Sequence, residues 1–226
     1  MEQYRSIAID GPSGAGKTSL AKLLGVKLGF LRVDTGAMYR AIGLNAWRNG
    51  VDPSDAAAVE ALLPKTEISL SYDPEGTQHV WLNGEDVSSE IRRPEISMYA
   101  SAVSAISVVR AFLLNRQRDL AKQDNVIMDG RDIGTVILPN ADVKIFLTAS
   151  DEERARRRWL ELKEKGMQTT YEEVLDDMRL RDKNDSTRAE APLKPAEDSV
   201  IVDTTDLNLE ESFKALHDLI VGRLGL

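Results

Sequence analysis

The chain has 226 residues, 42% of them apolar, with 37 acidic side chains against 29 basic ones and a net charge of −8; at roughly 150 residues per domain, this predicts one domain or one core with an insertion. An acidic balance excludes nucleic acid and anionic membranes as principal partners, and no apolar run approaches the roughly 20 residues of a membrane span. With no cysteine and only His79 and His217, disulfides, thiolate metal sites, cysteine nucleophiles and His-rich centres are excluded, and the composition suits a reducing cytoplasm.

Ser6 to Asp10 form a short apolar run ending in a carboxylate and read as a strand. A helix follows from Lys17, with Leu20, Leu23, Leu24 and Leu28 at helical spacing and Gly29 as its C-terminal cap. Residues 30 to 34 read as a second strand. Residues 66 to 87 then break the alternation: Ile68, Leu70 and Tyr72 alternate, Asp73-Pro74-Glu75-Gly76 turns, Val80-Trp81-Leu82 returns, and Asn83-Gly84 turns again. This predicts a small antiparallel unit inserted between helices. Val126-Ile127-Met128 ends at Asp129, Val143 to Leu147 is a fourth strand, and Val200 to Asp203 a fifth. Ser150 with Glu153 and Thr170 with Glu173 fit capping boxes, and Gly166 suits a turn between the helices they start. The last helix, from about Leu209, carries Phe213, Leu216, Ile220 and Leu224 on one face. Short apolar strands separated by helices predict an α/β fold, a five-stranded parallel sheet covered on both faces.

Residues 11 to 18, Gly-Pro-Ser-Gly-Ala-Gly-Lys-Thr, match the G-x-x-x-x-G-K-[ST] loop and lie between a strand and a helix, the context that gives the motif its meaning. Gly11, Pro12, Ser13, Gly14, Ala15 and Gly16 can wrap so that amides face phosphate oxygens, with the positive end of the helix at Thr18 and Ser19 behind them. Lys17 reaches the outer phosphates, and the Thr18 hydroxyl can ligate Mg²⁺. Asp129 is the candidate carboxylate to support that metal, with Asp10 a weaker one. The fold is therefore expected to be of the P-loop NTP hydrolase type. A GTPase would need an Asn-Lys-x-Asp guanine reader, and Lys183-Asn184-Asp185 has the wrong order. Arg154, Arg156, Arg157 and Arg158 crowd one helix, and Arg179, Arg181 and Arg188 follow. Such a stretch suits a mobile cover that brings charge to a transferring phosphoryl group; Arg156 is expected on a solvated face.

The chain resembles bacterial cytidylate kinases over essentially its whole length. The resemblance rests on the phosphate loop, Asp-Thr-Gly-Ala-Met-Tyr-Arg at 34 to 40, Ser101 to Arg110, Gly-Arg-Asp-Ile-Gly-Thr-Val at 130 to 136, Lys144 to Ser150, Arg181 to Arg188, and Ala-Pro-Leu at 191 to 193. The antiparallel insertion is similar to the monophosphate-binding region of the long bacterial form. The resemblance implies transfer of the γ-phosphoryl group of ATP, carried with Mg²⁺, to CMP or dCMP. It implies Arg40 and Arg131 at the acceptor phosphate, Ser101, Arg110, Asp132 and Arg188 around the base with Thr35 nearby, and Arg181 and Asp185 at the sugar. Lys17, Arg154, Arg157, Arg158 and Arg181 would stabilise the transferring charge, with Arg158 able to take the role of Arg157. Residues 1–34, 105–150 and 185–226 would form the core, 35–104 the monophosphate-binding region and 151–184 the lid. Small-molecule substrates and a monomer are expected. The alternatives are a kinase for UMP, AMP or shikimate, and a non-catalytic ATP-binding switch.

Overall fold

The computed structural model of the protein describes residues 4–226. Among the described residues the strands are, in chain order, β1 (Ser6–Asp10), β2 (Leu31–Asp34), β3 (Ile68–Tyr72), β4 (Gln78–Leu82), β5 (Glu85–Asp86), β6 (Val126–Gly130), β7 (Val143–Thr148) and β8 (Val200–Asp203). The helices are α1 (Lys17–Leu28), α2 (Thr35–Arg48), α3 (Ala56–Leu62), α4 (Pro94–Val103), α5 (Ser107–Leu120), α6 (Asp151–Glu164), α7 (Tyr171–Thr187) and α8 (Leu209–Leu224). No single helix among them is long and apolar enough to cross a membrane.

The main sheet is five-stranded and parallel, in the order β2-β6-β1-β7-β8. β1 lies between β6 and β7, with Ile9 level with Asp129 on one side and Ile145 on the other. The strand order reverses there, so a crevice opens at the carboxyl ends of the strands, where α/β sheets bind ligands. Leu20 and Leu24 of α1 and Leu216 and Ile220 of α8 pack with Ile7, Ile9, Ile127 and Ile145 in one apolar cluster. Val33, Met128, Ile133 and Ile137 form a second, joined by Leu114 and Leu120 of α5.

Two expectations from periodicity fail at the margins. Leu23 is 42% exposed, because the buried stripe of α1 is narrow and runs through Leu20 and Leu24. Ile201 is 60% exposed, because β8 is the edge strand and it is Val202 that packs against the core.

β3, β4 and β5 form the expected antiparallel insertion. Asn83 (φ 51) and Gly84 (φ 83) are both left-handed, as a tight two-residue hairpin requires. Val80 and Leu82 face a core shared with Leu44 of α2 and Ile96 of α4. Gln78 clips this sheet to the end of β2: its Oε1 accepts from the Asp34 amide at 2.8 Å, and its Nε2 donates to the Asp34 carbonyl at 3.3 Å.

α6 and α7 form a hairpin with its own small core of Ala155, Val174 and Met178, flanked by Trp159 and Leu162. Gly166 (φ 74) turns between them. Thr170 and Glu173 form a full capping box, whereas the box expected at Ser150 is only half made. Ser150 accepts from the Glu153 amide, but the Glu153 carboxylate pairs with Arg156 and Arg157 instead. Two guanidinium groups outcompete one backbone amide for that charge. Asn208 and Glu211 form a further full box at the start of α8.

Gly11 sets the spacing between β1 and β7. It has φ 150, and a Cβ there would lie 2.0 Å from the Leu147 carbonyl oxygen. Gly11→Ala is expected to cost about 3 kcal/mol of stability, from backbone conformation and overpacking together. Urea unfolding measures this; an unchanged midpoint would show that the two strands part freely.

Candidate active site

The phosphate loop leaves β1 at the centre of the sheet and enters α1. Gly14 (φ 72) and Gly16 (φ 86) hold left-handed conformations that aim the chain around the loop. Lys17 folds back over it, with Nζ donating to the Pro12 carbonyl at 2.6 Å. Burial, and then the nearby Arg131 charge, hold this ammonium well below its usual range, while Asp129, Asp10 and Asp182 oppose that shift.

Thr18 Oγ1 donates to Asp129 Oδ2 at 3.0 Å, joining the two residues expected at the metal. Asp129 also accepts from Arg32 Nε at 3.0 Å, and Arg32 reaches Asp34 at 3.2 Å. Burial and the neighbouring Asp34 push the Asp129 carboxyl up, against Arg32 and Thr18. Asp10 does different work: its two oxygens accept the amides of Ile133 (2.8 Å) and Gly134 (2.7 Å), fixing the turn after β6. Burial pushes its carboxyl up to about 6. The weaker metal candidate thus anchors this turn through both carboxylate oxygens. Among the described residues there is no group of three or more His, Cys, Asp or Glu able to cage a metal. One hydroxyl beside one carboxylate fits Mg²⁺ that arrives already coordinated by phosphates.

Beside the loop, Arg40 of α2, Arg131 after β6, Arg158 of α6 and Arg181 of α7 act on one another electrostatically. Burial lowers Arg40, with Arg158 and Arg131 adding to the effect against Asp34. Burial, then Arg131 and Arg40, push Arg181 down to about 10, and its Nε is buried without a hydrogen-bond partner. Arg40 is steadied by Ser97 Oγ at 2.5 Å and Arg131 by Asp185 at 2.9 Å. Crowded guanidinium groups with an unmet donor make a site for a polyanion.

Next to this cluster lies a buried carboxylate. Asp132 pairs with Arg110, and Arg188 lies 3.8 Å from Asp132 and 3.7 Å from Asp185. Burial pushes the Asp132 carboxyl up, while Arg110, Arg188 and Arg131 favour its charged form. Arg110 also donates to the Ser104 carbonyl at 3.2 Å and lies 5.6 Å over the Tyr39 ring. Ser101 sits one turn away, its carbonyl accepting from Ser104 Oγ at 2.8 Å.

Other expected residues make structural bonds. Thr35 is buried, and its hydroxyl donates to the Asp129 carbonyl at 3.0 Å, tying α2 to β6 beside Gly130. Arg157 donates to the carbonyls of Thr204 (2.5 Å) and Leu207 (3.2 Å), bracing the β8–α8 loop outside the arginine cluster. The physical reason is helical geometry, since adjacent residues point about 100° apart, which sends Arg157 toward Thr204 and Leu207. Arg154 is buried against the phosphate loop, donating to the Ser13 carbonyl at 2.8 Å and the Ala149 carbonyl at 3.0 Å. Arg156 pairs with Glu153 on an exposed face, as expected. Tyr39, Arg32 and Asp182 were missed; for Arg32 the signal was a cation two residues before a carboxylate in a strand of four.

A phosphate loop facing a partly buried arginine cluster, under a hairpin with its own core, suits moving a phosphoryl group between two bound phosphates, which is the chemistry of P-loop kinases. Comparison with known proteins narrows this class. A family model described as cytidylate kinase matches residues 7–221, and the chain belongs to that family. It is 52% identical to a cytidylate kinase of Caldicellulosiruptor bescii, over 95% of this chain and 94% of the relative. It is 51% identical to one of Caldicellulosiruptor saccharolyticus, over 97% of each chain. A third, from Caldanaerobacter subterraneus subsp. tengcongensis, is 50% identical over 95% of this chain and 93% of that one.

Proposed function

We propose that the protein transfers the γ-phosphoryl group of ATP to CMP or dCMP, giving ADP and CDP or dCDP. The observation that carries this reading is the buried Asp132 carboxylate, held by Arg110 and Arg188 next to the arginine cluster. A fixed acceptor of hydrogen bonds there matches the 4-amino group of cytosine. Arg40 and Arg131 bind the acceptor 5′-phosphate, with Ser101 and Arg188 completing the base pocket and Arg181 and Asp185 facing the sugar and phosphate. The loop from Gly11 to Ser19 wraps the ATP phosphates. Thr18 and Asp129 would hold Mg²⁺, which when bound offsets charge on the phosphate oxygens.

The acceptor phosphate has its second pKa near ~6, so at neutral pH it is mostly dianionic and needs no general base. What remains is alignment and charge stabilisation by Lys17, Arg154, Arg158 and Arg181. Residues 151–184 act as a lid and 35–104 as the acceptor-binding region, and their closure keeps water from the γ-phosphate. The protein works as a cytoplasmic monomer on small-molecule substrates.

The test is coupled ADP release with CMP, dCMP, UMP, AMP and shikimate in turn. High rates with CMP and dCMP alone are expected. ATP binding without acceptor-dependent ADP release would instead favour a nucleotide switch. Within the lid, Arg158→Ala should lower turnover about 100-fold with little change in the KM for CMP, because its partners are transferring phosphates. Arg156→Ala should leave both constants unchanged, its ion pair being exposed. Equal effects of the two substitutions would remove Arg158 from the mechanism.

A further inference from the structure

Asp182 lies on α7 and reaches the phosphate loop. Its Oδ1 accepts the Ser13 amide at 3.1 Å and its Oδ2 accepts Arg154 Nη1 at 2.5 Å. Arg154 in turn donates to the Ser13 carbonyl, so carboxylate, guanidinium and loop close a ring of hydrogen bonds. The Arg154 side chain is 4% exposed and that of Asp182 19%, which leaves little room for solvent screening. One turn earlier on α7, Met178 packs against Gly14, where a Cβ would lie 2.7 Å from its Cε. α7 is thus docked on the loop through one carboxylate and one apolar contact. The Asp182 charge also acts on the Lys17 ammonium.

Ser13 follows Pro12, whose carbonyl holds Lys17 Nζ, so Ser13 and the lysine head group share one end of the loop. That end receives the outer phosphates. A loop amide and a guanidinium are the donors a phosphate oxygen seeks, and a carboxylate already on them repels one. We propose that Asp182 is a positioning residue that competes with the outermost phosphate of a nucleoside triphosphate for the Ser13 amide and Arg154. The docking of α7 is thereby coupled to which nucleotide the loop holds. A diphosphate lacks the competing group and leaves the Asp182 contacts intact. A triphosphate takes both donors, turns Arg154 onto its own outer phosphate, and releases α7 from the loop. The inference rests on the ATP-dependent transfer proposed above.

The experiment is calorimetric titration of wild type and Asp182→Asn with ADP and with a non-hydrolysable ATP analogue. The analogue should bind about tenfold more tightly to Asp182→Asn, and ADP should change less than about twofold, since one charged contact is relieved for the triphosphate alone. In turnover, KM for ATP should fall while kcat and KM for CMP change little, because bound triphosphate has already displaced Asp182 in the wild-type protein. Asp182→Glu, which restores the charge, should return the affinity ratio toward wild type. Asp182→Ser replaces the amide variant should that one melt at a markedly lower temperature. A triphosphate-to-diphosphate ratio in the neutral variants equal to wild type overturns the proposal, whether both ligands weaken together or neither changes, and leaves Asp182 a structural brace. Failure of the kinase reading shows separately, as absence of CMP-dependent ADP release by the wild-type protein.

Discussion

Lys17→Ala is expected to fold normally and to lose about 1,000-fold in turnover, roughly 4 kcal/mol of transition-state stabilisation. The ammonium is buried, donates to the Pro12 carbonyl, and is held well below its usual range by burial and by Arg131. A buried cation in that condition adds little to stability, so its removal should leave the melting temperature unchanged or slightly raised. The same charge gains full value only when the outer phosphates lie beside it, where charge is redistributed during transfer. Coupled ADP release and thermal melting on the same preparation measure the two halves of this expectation. Near-normal turnover in a folded Lys17→Ala protein would sink the assignment of this loop to catalysis.

Asp132→Asn is expected to reduce kcat/KM for CMP by about 1,000-fold and to shrink the preference for CMP over UMP by about 100-fold. The carboxylate accepts hydrogen bonds and repels the uracil 4-carbonyl, whereas the amide can turn its NH₂ toward that oxygen. The isosteric amide is the better test than Asp132→Ala. Both variants remove the charge that Arg110 faces in a buried setting, while Arg188 keeps Asp185 at 3.7 Å; alanine in addition leaves a cavity and no side-chain oxygen to accept from Arg110. Losing one charge of such a pair costs about 3–5 kcal/mol in either variant, and the alanine cavity adds to it, so a melting curve accompanies the kinetics. The deciding measurement is the CMP-to-UMP ratio of kcat/KM in both proteins. A ratio unchanged by Asp132→Asn would make the carboxylate a brace for the two arginines and move the reader to Asp185, which Arg131 and Arg188 also approach.

Structure that depends on a few neighbouring residues was legible in the chain. The loop at 11 to 18, the left-handed Gly29 and Gly166, the Asn83-Gly84 hairpin and the Thr170–Glu173 box all stand where local spacing put them. Each of these depends on backbone conformation or on one turn of helix, and both can be read from adjacent residues. The alternation of short apolar strands with helices likewise carried the parallel sheet. The partners of the charges, by contrast, follow from packing between distant segments. Arg110 meets Asp132 across 22 residues, Arg131 meets Asp185 across 54, and Ser13 meets Asp182 across 169. Arg154, Arg157 and Arg158 share one helix yet go to the phosphate loop, the β8–α8 loop and the arginine cluster. Their order along the chain fixes only the angle between them; which neighbour each one finds depends on how α6 packs, through contacts made by residues far away in the sequence.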